Sequence, residues 1–215
     1  MIAIERITLI GAGGTGSMIL PAIAPTHDVT IYDGDDYEEK NVTRQIFANE
    51  SVGKNKAVVL ADIFNRGPSR VVGVPSYARG NESLDTDLIL CCVDNNDGRK
   101  AAKALANEHD VPLIVCGNEA WEPMAWLYMP CMEYTNLDPY VRWNLANLTE
   151  GRQETCSGMQ AIAETPQLPE ANYCAGSQAL HIMHSLTTCK KADNYLAEVQ
   201  STPWPIWTQL KDITP

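Results

Sequence analysis

None of the seven cysteines in this 215-residue chain forms a C-x-x-C pair, and the odd count leaves at least one thiol unpaired. No secretory signal precedes the first expected strand, so a reducing, cytoplasmic setting is the simplest expectation. Apolar runs of membrane length are missing too, so no transmembrane segment is expected where one would need about 20 such residues. Basic charge is scarce: 16 Lys and Arg stand against 27 Asp and Glu, for a formal charge of −11. That balance argues against nucleic-acid partners, which are held by fields of Lys and Arg. There are no internal repeats and no low-complexity segment. The remaining composition is that of an ordinary globular protein, long enough to bury a core as a single domain.

The informative stretch is residues 7–56. It reads as a strand (Ile7, Leu9, Ile10), a glycine turn Gly11-Ala12-Gly13-Gly14-Thr15-Gly16, a helix, and a second strand ending at Asp33. Such a turn, opening a helix, presents free backbone N–H groups and the positive end of the helix dipole to phosphates. An acidic side chain at the end of the next strand is placed for ribose hydroxyls, the position Asp33 holds. A polar run follows with Asp35, Asn41, Arg44, Gln45 and Lys56. Those donors and positive charges beyond the ribose aspartate exceed what a hydride-transfer cofactor requires. Taken alone, the glycine turn is also compatible with NAD or FAD.

Further on, apolar residues three and four apart (Ala57, Leu60, Ala61, Phe64) predict a helix over 54–65, stopped by Gly67-Pro68. A helix is also expected over 14–24, with Pro21 kinking or shortening it. Residues 71–74 and the apolar run 87–93 read as strands, the second as a central parallel one covered on both sides. Asp94 lies at its carboxyl end, where open α/β sheets bind ligands, although a helix cap is the alternative role. A helix over 96–109 and strands over 112–116 and 125–129 complete the alternation. The expected fold is α/β: Rossmann-like, doubly wound and mostly parallel, with a long irregular crossover segment and a C-terminal helix. Within one domain, 1–215, the divisions are a nucleotide-binding core over 1–129, the crossover over 130–172, the final helix over 173–188 and a tail over 189–215. Ala175, Ala179, Ile182 and Leu186 mark the helix face, and the tail is polar apart from Trp204-Pro205-Ile206-Trp207.

The motifs G-x-G-G-x-G at Gly11 to Gly16, D-x-D at Asp33 and Asp35, N-x-x-R-Q at Asn41 to Gln45, V-G-x-x-K at Val52 to Lys56, and Val93-Asp94 with Arg99 occur in this order. In them the chain resembles the ThiF, MoeB and HesA family of ubiquitin-activating-enzyme-like adenylyltransferases. The resemblance implies ATP-dependent adenylylation of the C-terminal carboxylate of a small ubiquitin-like protein of the ThiS or MoaD type, ending in Gly-Gly. It implies ATP and Mg²⁺ as cofactors and a homodimer. Gly11, Gly13, Gly14, Gly16, Asp33, Asp35, Asn41, Arg44, Gln45, Lys56 and Asp94 would then bind the nucleotide, with Asp94 holding the metal. Arg44, Lys56 and Asp94 would act in catalysis by lowering the repulsion between a carboxylate and a polyphosphate. No general base is required, since the attacking carboxylate is already ionised. Arg99 is either a ligand residue or a surface helix position.

Cys156 matches the place of a reactive cysteine before the final helix in ThiF-type proteins, where it would take over the acyl group as a thioester or lead to a persulfide. It is otherwise a free loop cysteine. Structural zinc is not expected: Cys131-Met132-Glu133-Tyr134 stands where relatives carry the first of two C-x-x-C pairs. Relatives also carry an N-terminal arginine that reaches a neighbouring subunit, whereas here the only early arginine is Arg6. Other readings of the chain are a noncatalytic scaffold subunit of the same fold, and an enzyme that adenylates a small-molecule or RNA-borne carboxylate.

Overall fold

The computed structural model describes residues 2–42, 45–119, 122–135, 137–142, 168–188, 195–201 and 206–212. In chain order the elements are β1 (Arg6–Ile10), α1 (Gly14–Ile23), β2 (Asp28–Tyr32), α2 (Lys56–Phe64), β3 (Val71–Val74), β4 (Leu88–Cys91) and α3 (Asn96–His109). They continue with β5 (Leu113–Glu119), β6 (Glu122–Tyr128), α4 (Pro139–Arg142), α5 (Pro169–Thr188), β7 (Tyr195–Ser201) and β8 (Ile206–Asp212). The strands form one sheet of order β3-β2-β1-β4-β5-β6-β7-β8. Pairing is parallel from β3 to β5 and antiparallel from β5 to β8. The expected mostly parallel, doubly wound α/β fold is therefore the one found. The chain runs from β1 outward to β2 and β3, then returns to place β4 on the other side of β1. This switch point opens a crevice at the carboxyl ends of β1 and β4.

The apolar pattern of β4 explains its central place. Leu88 and Leu90 face a core shared with α1, α2 and α5, whereas Ile89 and Cys91 face a second core under α3. A strand buried on both faces has no room for the polar alternation of a surface strand. On α2, Ala57 and Leu60 are fully buried as their spacing predicts, and Asn55 caps the helix by accepting from the Val58 N–H at 3.2 Å. Pro21 sits in the last turn of α1, where the helix ends soon after it, at Ile23.

Several boundaries differ from the sequence reading. The final helix begins at Pro169 rather than 173: a proline read as a loop residue is tolerated in a first turn, where its missing N–H has no helical partner to lose. The stretch expected to be an irregular crossover from 130 contains a 3₁₀ turn, Pro130–Met132, and the short helix α4. Beyond 189 a tail was expected, yet β7 and β8 extend the sheet there. Met124, Ala125 and Trp126 of β6 pair with Gln200, Val199 and Glu198, covering an edge whose backbone groups would otherwise lack partners. Composition was a poor guide to that segment because an added strand is recruited by main-chain pairing.

The segment after β6 is pinned to α3 by one partly buried cation. Lys103 Nζ donates to Asp138 Oδ2 at 2.7 Å and lies 5.1 Å from the ring centroids of both Tyr128 and Tyr140. Asp138 is completely buried. The Tyr140 hydroxyl donates to the Arg99 carbonyl at 2.9 Å, and the Tyr128 hydroxyl donates to Asn107 at 2.6 Å. Burial pushes both phenols up, so they remain neutral donors. We predict that Asp138→Ala, which takes from the Lys103 ammonium the nearer of its two carboxylate partners and leaves Glu133 at 3.8 Å, lowers stability by about 2 kcal/mol, the scale of a hydrogen bond to a charged group. Urea unfolding followed by circular dichroism reads that loss, and a change within about 0.5 kcal/mol, as for a bland surface site, counts against it.

Candidate functional site

The site is built on a glycine turn that only glycine can make. Gly11 has φ +93°, and a β-carbon there would stand 2.9 Å from the Cys92 carbonyl carbon and oxygen. Gly16 faces the Gly11 carbonyl so closely that a side chain has no room. The turn thus packs directly on the loop after β4. Its N–H groups at the start of α1 precede the first helical bond, from the Ser17 N–H to the Gly13 carbonyl at 3.0 Å, and so lack intrahelical partners.

Asp33, at the end of β2, is only 7% exposed. Its carboxylate accepts from the Ala12 N–H at 2.7 Å and from the Asp35 N–H at 2.8 Å. Burial raises the Asp33 pKa, and those two N–H groups work against the rise. The acid fastens β2 to the glycine turn while lying at the ligand end of the sheet. Asn55, which no motif singled out, donates to the carbonyls of Asp33 at 2.9 Å and Asp35 at 3.1 Å.

Lys56 is buried and donates from Nζ to Asp35 Oδ2 at 3.2 Å. Tyr77, after β3, also donates its hydroxyl to Asp35, and its ring covers Gly34, where a β-carbon would stand 2.7 Å from ring carbon. Burial opposes ionisation of Asp35, but the Tyr77 hydroxyl and the Lys56 charge carry its pKa below the ordinary value. The same bond pushes the Tyr77 phenol up to about 12. Lys56 is therefore held at the site by a carboxylate that the sequence reading had assigned to the nucleotide.

Asn41 lies in a 3₁₀ turn, Glu39–Asn41, and is 2% exposed; its Oδ1 accepts from the Glu38 N–H at 2.9 Å. Gln45 follows, its N–H donating to the Asn41 carbonyl at 2.9 Å. The Gln45 amide nitrogen lies 3.8 Å from the place a β-carbon on Gly13 would occupy. Gly11, Gly13, Gly14, Gly16, Asp33, Asp35, Asn41, Gln45 and Lys56 are thus brought together. Arg44 and Cys156 lie outside the described residues.

Asp94 is exposed, one residue beyond Val93, whose side chain packs on Gly11. The capping role weighed for it belongs to Asn95, which accepts from the Gly98 N–H at 2.8 Å. Arg99 is not at the surface helix position that was one of its two readings. It is 1% exposed and donates to Asn96 Oδ1 at 3.3 Å and to the Val93 carbonyl at 3.4 Å, bracing the Asp94 loop from behind.

Asn172 of α5 was not foreseen. Fully buried, it accepts at Oδ1 from Thr15 at 3.2 Å and from Asn118 at 2.5 Å, and its amide covers Gly14. The signal available was a polar residue in register with Ala175 and Ala179 on the apolar face of the last helix. Beside the turn, neighbouring Cys116 and burial push the Cys92 thiol up, away from the thiolate that nucleophilic attack needs. Cys131, His181 and His184 are exposed. Arg6 is engaged by Asp85 and Asp87 beside β1. Among the described residues no group of three or more His, Cys, Asp or Glu is placed to hold a metal, and no helix is long and apolar enough to cross a membrane.

The ThiF family model matches residues 2–207. The chain belongs to the ThiF family. Its fold is shared with PaaA, at TM-score 0.68 and 15% identity over 97% of this chain and 64% of that one. It is likewise shared with E. coli MccB solved with ATP, at TM-score 0.65 and 17% identity over 98% of this chain and 64% of that one. MccB solved with AMPCPP and MccA superposes at TM-score 0.67 and 16% identity, covering 98% of this chain and 65% of MccB. The chain thus spans a little under two thirds of these neighbours' length. A search of curated proteins by sequence finds no match.

Within this ThiF-family site, the Tyr77 hydroxyl should leave a trace in the pH dependence of stability. A carboxylate with a lowered folded-state pKa stabilises the fold above its unfolded pKa, and that contribution is lost as pH falls through the folded value. Tyr77→Phe should therefore be less stable than wild type near neutral pH, by under about 1 kcal/mol for a half-exposed group. The two should converge in acid, once Asp35 is protonated in both. Urea titrations across this range test it, and a difference that persists undiminished below the Asp35 transition counts against it.

Proposed function

We propose that this ThiF-family chain is an ATP-dependent adenylyltransferase that activates the terminal carboxylate of a small protein or peptide. In the finer form the substrate is a ubiquitin-like protein of the ThiS or MoaD type ending in Gly-Gly. The observation that carries the reading is the convergence of the glycine turn, Asp33 and the Asp35-held Lys56 at one end of the sheet, with the Asp94 loop packed on Gly11. The likeness to MccB structures containing ATP and MccA supports this class of chemistry.

In the reaction a carboxylate oxygen attacks the α-phosphorus of ATP, a bond to that phosphorus forms, and the α–β bridging bond breaks to release pyrophosphate. Both reactants are anions, so the protein's task is positioning and charge stabilisation. Asp33 offers acceptor capacity to the ribose, the α1 N–H groups face the phosphates, and Lys56 and Arg44 offset their charge. Asn41 and Gln45 shape the wall beside the turn. One exposed carboxylate, Asp94, combined with phosphate oxygens suits Mg²⁺, which keeps most of its waters and needs few protein ligands. When bound, that ion would lower the repulsion between carboxylate and triphosphate. Cys156 would act afterwards, its thiolate attacking the acyl carbonyl to form a thioester and release AMP. A homodimer completes the proposal, and light scattering at micromolar concentration tests it, a monomer being the contrary result.

ATP–pyrophosphate exchange, measured with a panel of Gly-Gly-ended ubiquitin-fold proteins and short peptides, tests the activity. Wild type should exchange with at least one partner. Asp94→Ala should lose about a hundredfold or more, the scale of removing one charge-stabilising group, while Cys156→Ala should retain exchange. ATP binding without exchange on any carboxylate would favour a scaffold, and a preference for NAD over ATP would overturn the proposal.

A further inference from the structure

Asn172 is the polar side chain of α5 that reaches the glycine turn. Its Oδ1 is doubly engaged, by the Thr15 hydroxyl and by the Asn118 amide at the end of β5. Its Nδ2 is buried and has no hydrogen-bond partner. An amide N–H sealed from water without an acceptor is costly, so native folds rarely tolerate one without a use. Both of its fixed partners are donors to Oδ1, which orients the amide so that Nδ2 is the atom closest to where a side chain on Gly14 would stand. Gly14 is the first residue of α1, a ten-residue helix with no side-chain cap. The orphan donor therefore hangs over the same helix end whose N–H groups await an acceptor.

We propose that Asn172 is a further anion-binding residue of this site: its Nδ2 donates to a phosphate oxygen seated at the N-terminus of α1. The proposal rests on the nucleotide reading above and deepens it. A neutral donor fixed by two hydrogen bonds adds a contact to the phosphate without adding a cation, and it comes from α5, far in sequence from the glycine motif. It also gives a reason for glycine at position 14, since the amide occupies the space a side chain would take.

Asn172→Asp separates this role from a packing role. The carboxylate keeps the shape and still accepts from Thr15 and Asn118, but it replaces the free donor with an acceptor beside the phosphate. Calorimetric titration should show ATP binding weakened about tenfold or more, the scale of a hydrogen bond to a charged group. Adenosine, which has no phosphate, should bind as it does to wild type. The ATP defect should deepen as pH rises and the new carboxyl ionises. Unchanged ATP binding, or equal losses for ATP and adenosine, would overturn the proposal. Should the aspartate variant fail to fold by circular dichroism, Asn172→Ser keeps an acceptor and loses the amide donor; the same ATP-specific loss is expected of it, and its absence would equally overturn the proposal. Wild-type protein that binds no ATP would instead defeat the nucleotide reading, and this contact with it.

Discussion

A single carboxylate ties the ligand end of this molecule together. Asp33 is almost completely buried at the end of β2, an environment that opposes its charge, and it is held there by the N–H groups of Ala12 and Asp35. One of these belongs to the glycine turn after β1 and the other to the loop leading toward α2. The acid therefore joins β1 and β2 at the point where their chains leave the sheet. Arg99 donates to the Val93 carbonyl at the base of the Asp94 loop and Asn55 to the Asp33 carbonyl, so side chains fix the backbone on both flanks of the crevice. Sites placed on such supported loops are held in position by the rigid elements behind them.

The buried lysine of this crevice is paired with an acid. Lys56 is buried yet partnered by Asp35, which avoids the penalty of an isolated ammonium. Tyr77 shares that carboxylate and closes over Gly34, so this side of the crevice is bounded by an aromatic ring. In the proposed reading, an arriving polyphosphate would meet a lysine already oriented, along with backbone dipoles. Preorganisation of this kind stabilises developing charge without reorganising the site during the reaction. On the opposite flank, the side of the turn toward β5, the described residues Thr15, Asn118 and Asn172 form a neutral hydrogen-bonded cluster.

Local sequence was a reliable guide wherever a short stretch supplies its own reason for its conformation. The Gly11–Gly16 turn is dictated by contacts that admit no side chain, and α3 falls over 96–109 as its pattern predicted. Asp33, Lys56 and their neighbours were legible for the same reason, since strand, turn and helix place them within one βαβ unit. Asp35 shows the limit of that logic: its motif position was correct, but its partners are Lys56 and Tyr77, and Tyr77 comes from a different strand's loop. Boundaries failed where prolines read as breakers, as at Pro169, or where a strand exists because an edge needs pairing, as with β7.

The sequence by itself determined the fold class, the glycine turn and the acidic and basic residues that follow it. Each depends on periodicity, steric exclusion or short-range spacing, all of which are local. Tertiary structure alone decided that Asn172 and Asn118 converge on the turn, that Arg99 is a buried brace, and that Lys56 is held by Asp35. Those facts depend on which surfaces meet when α5, β5 and β3 close around the same crevice. Contacts between residues as far apart as Thr15 and Asn172 leave no spacing in the chain to read.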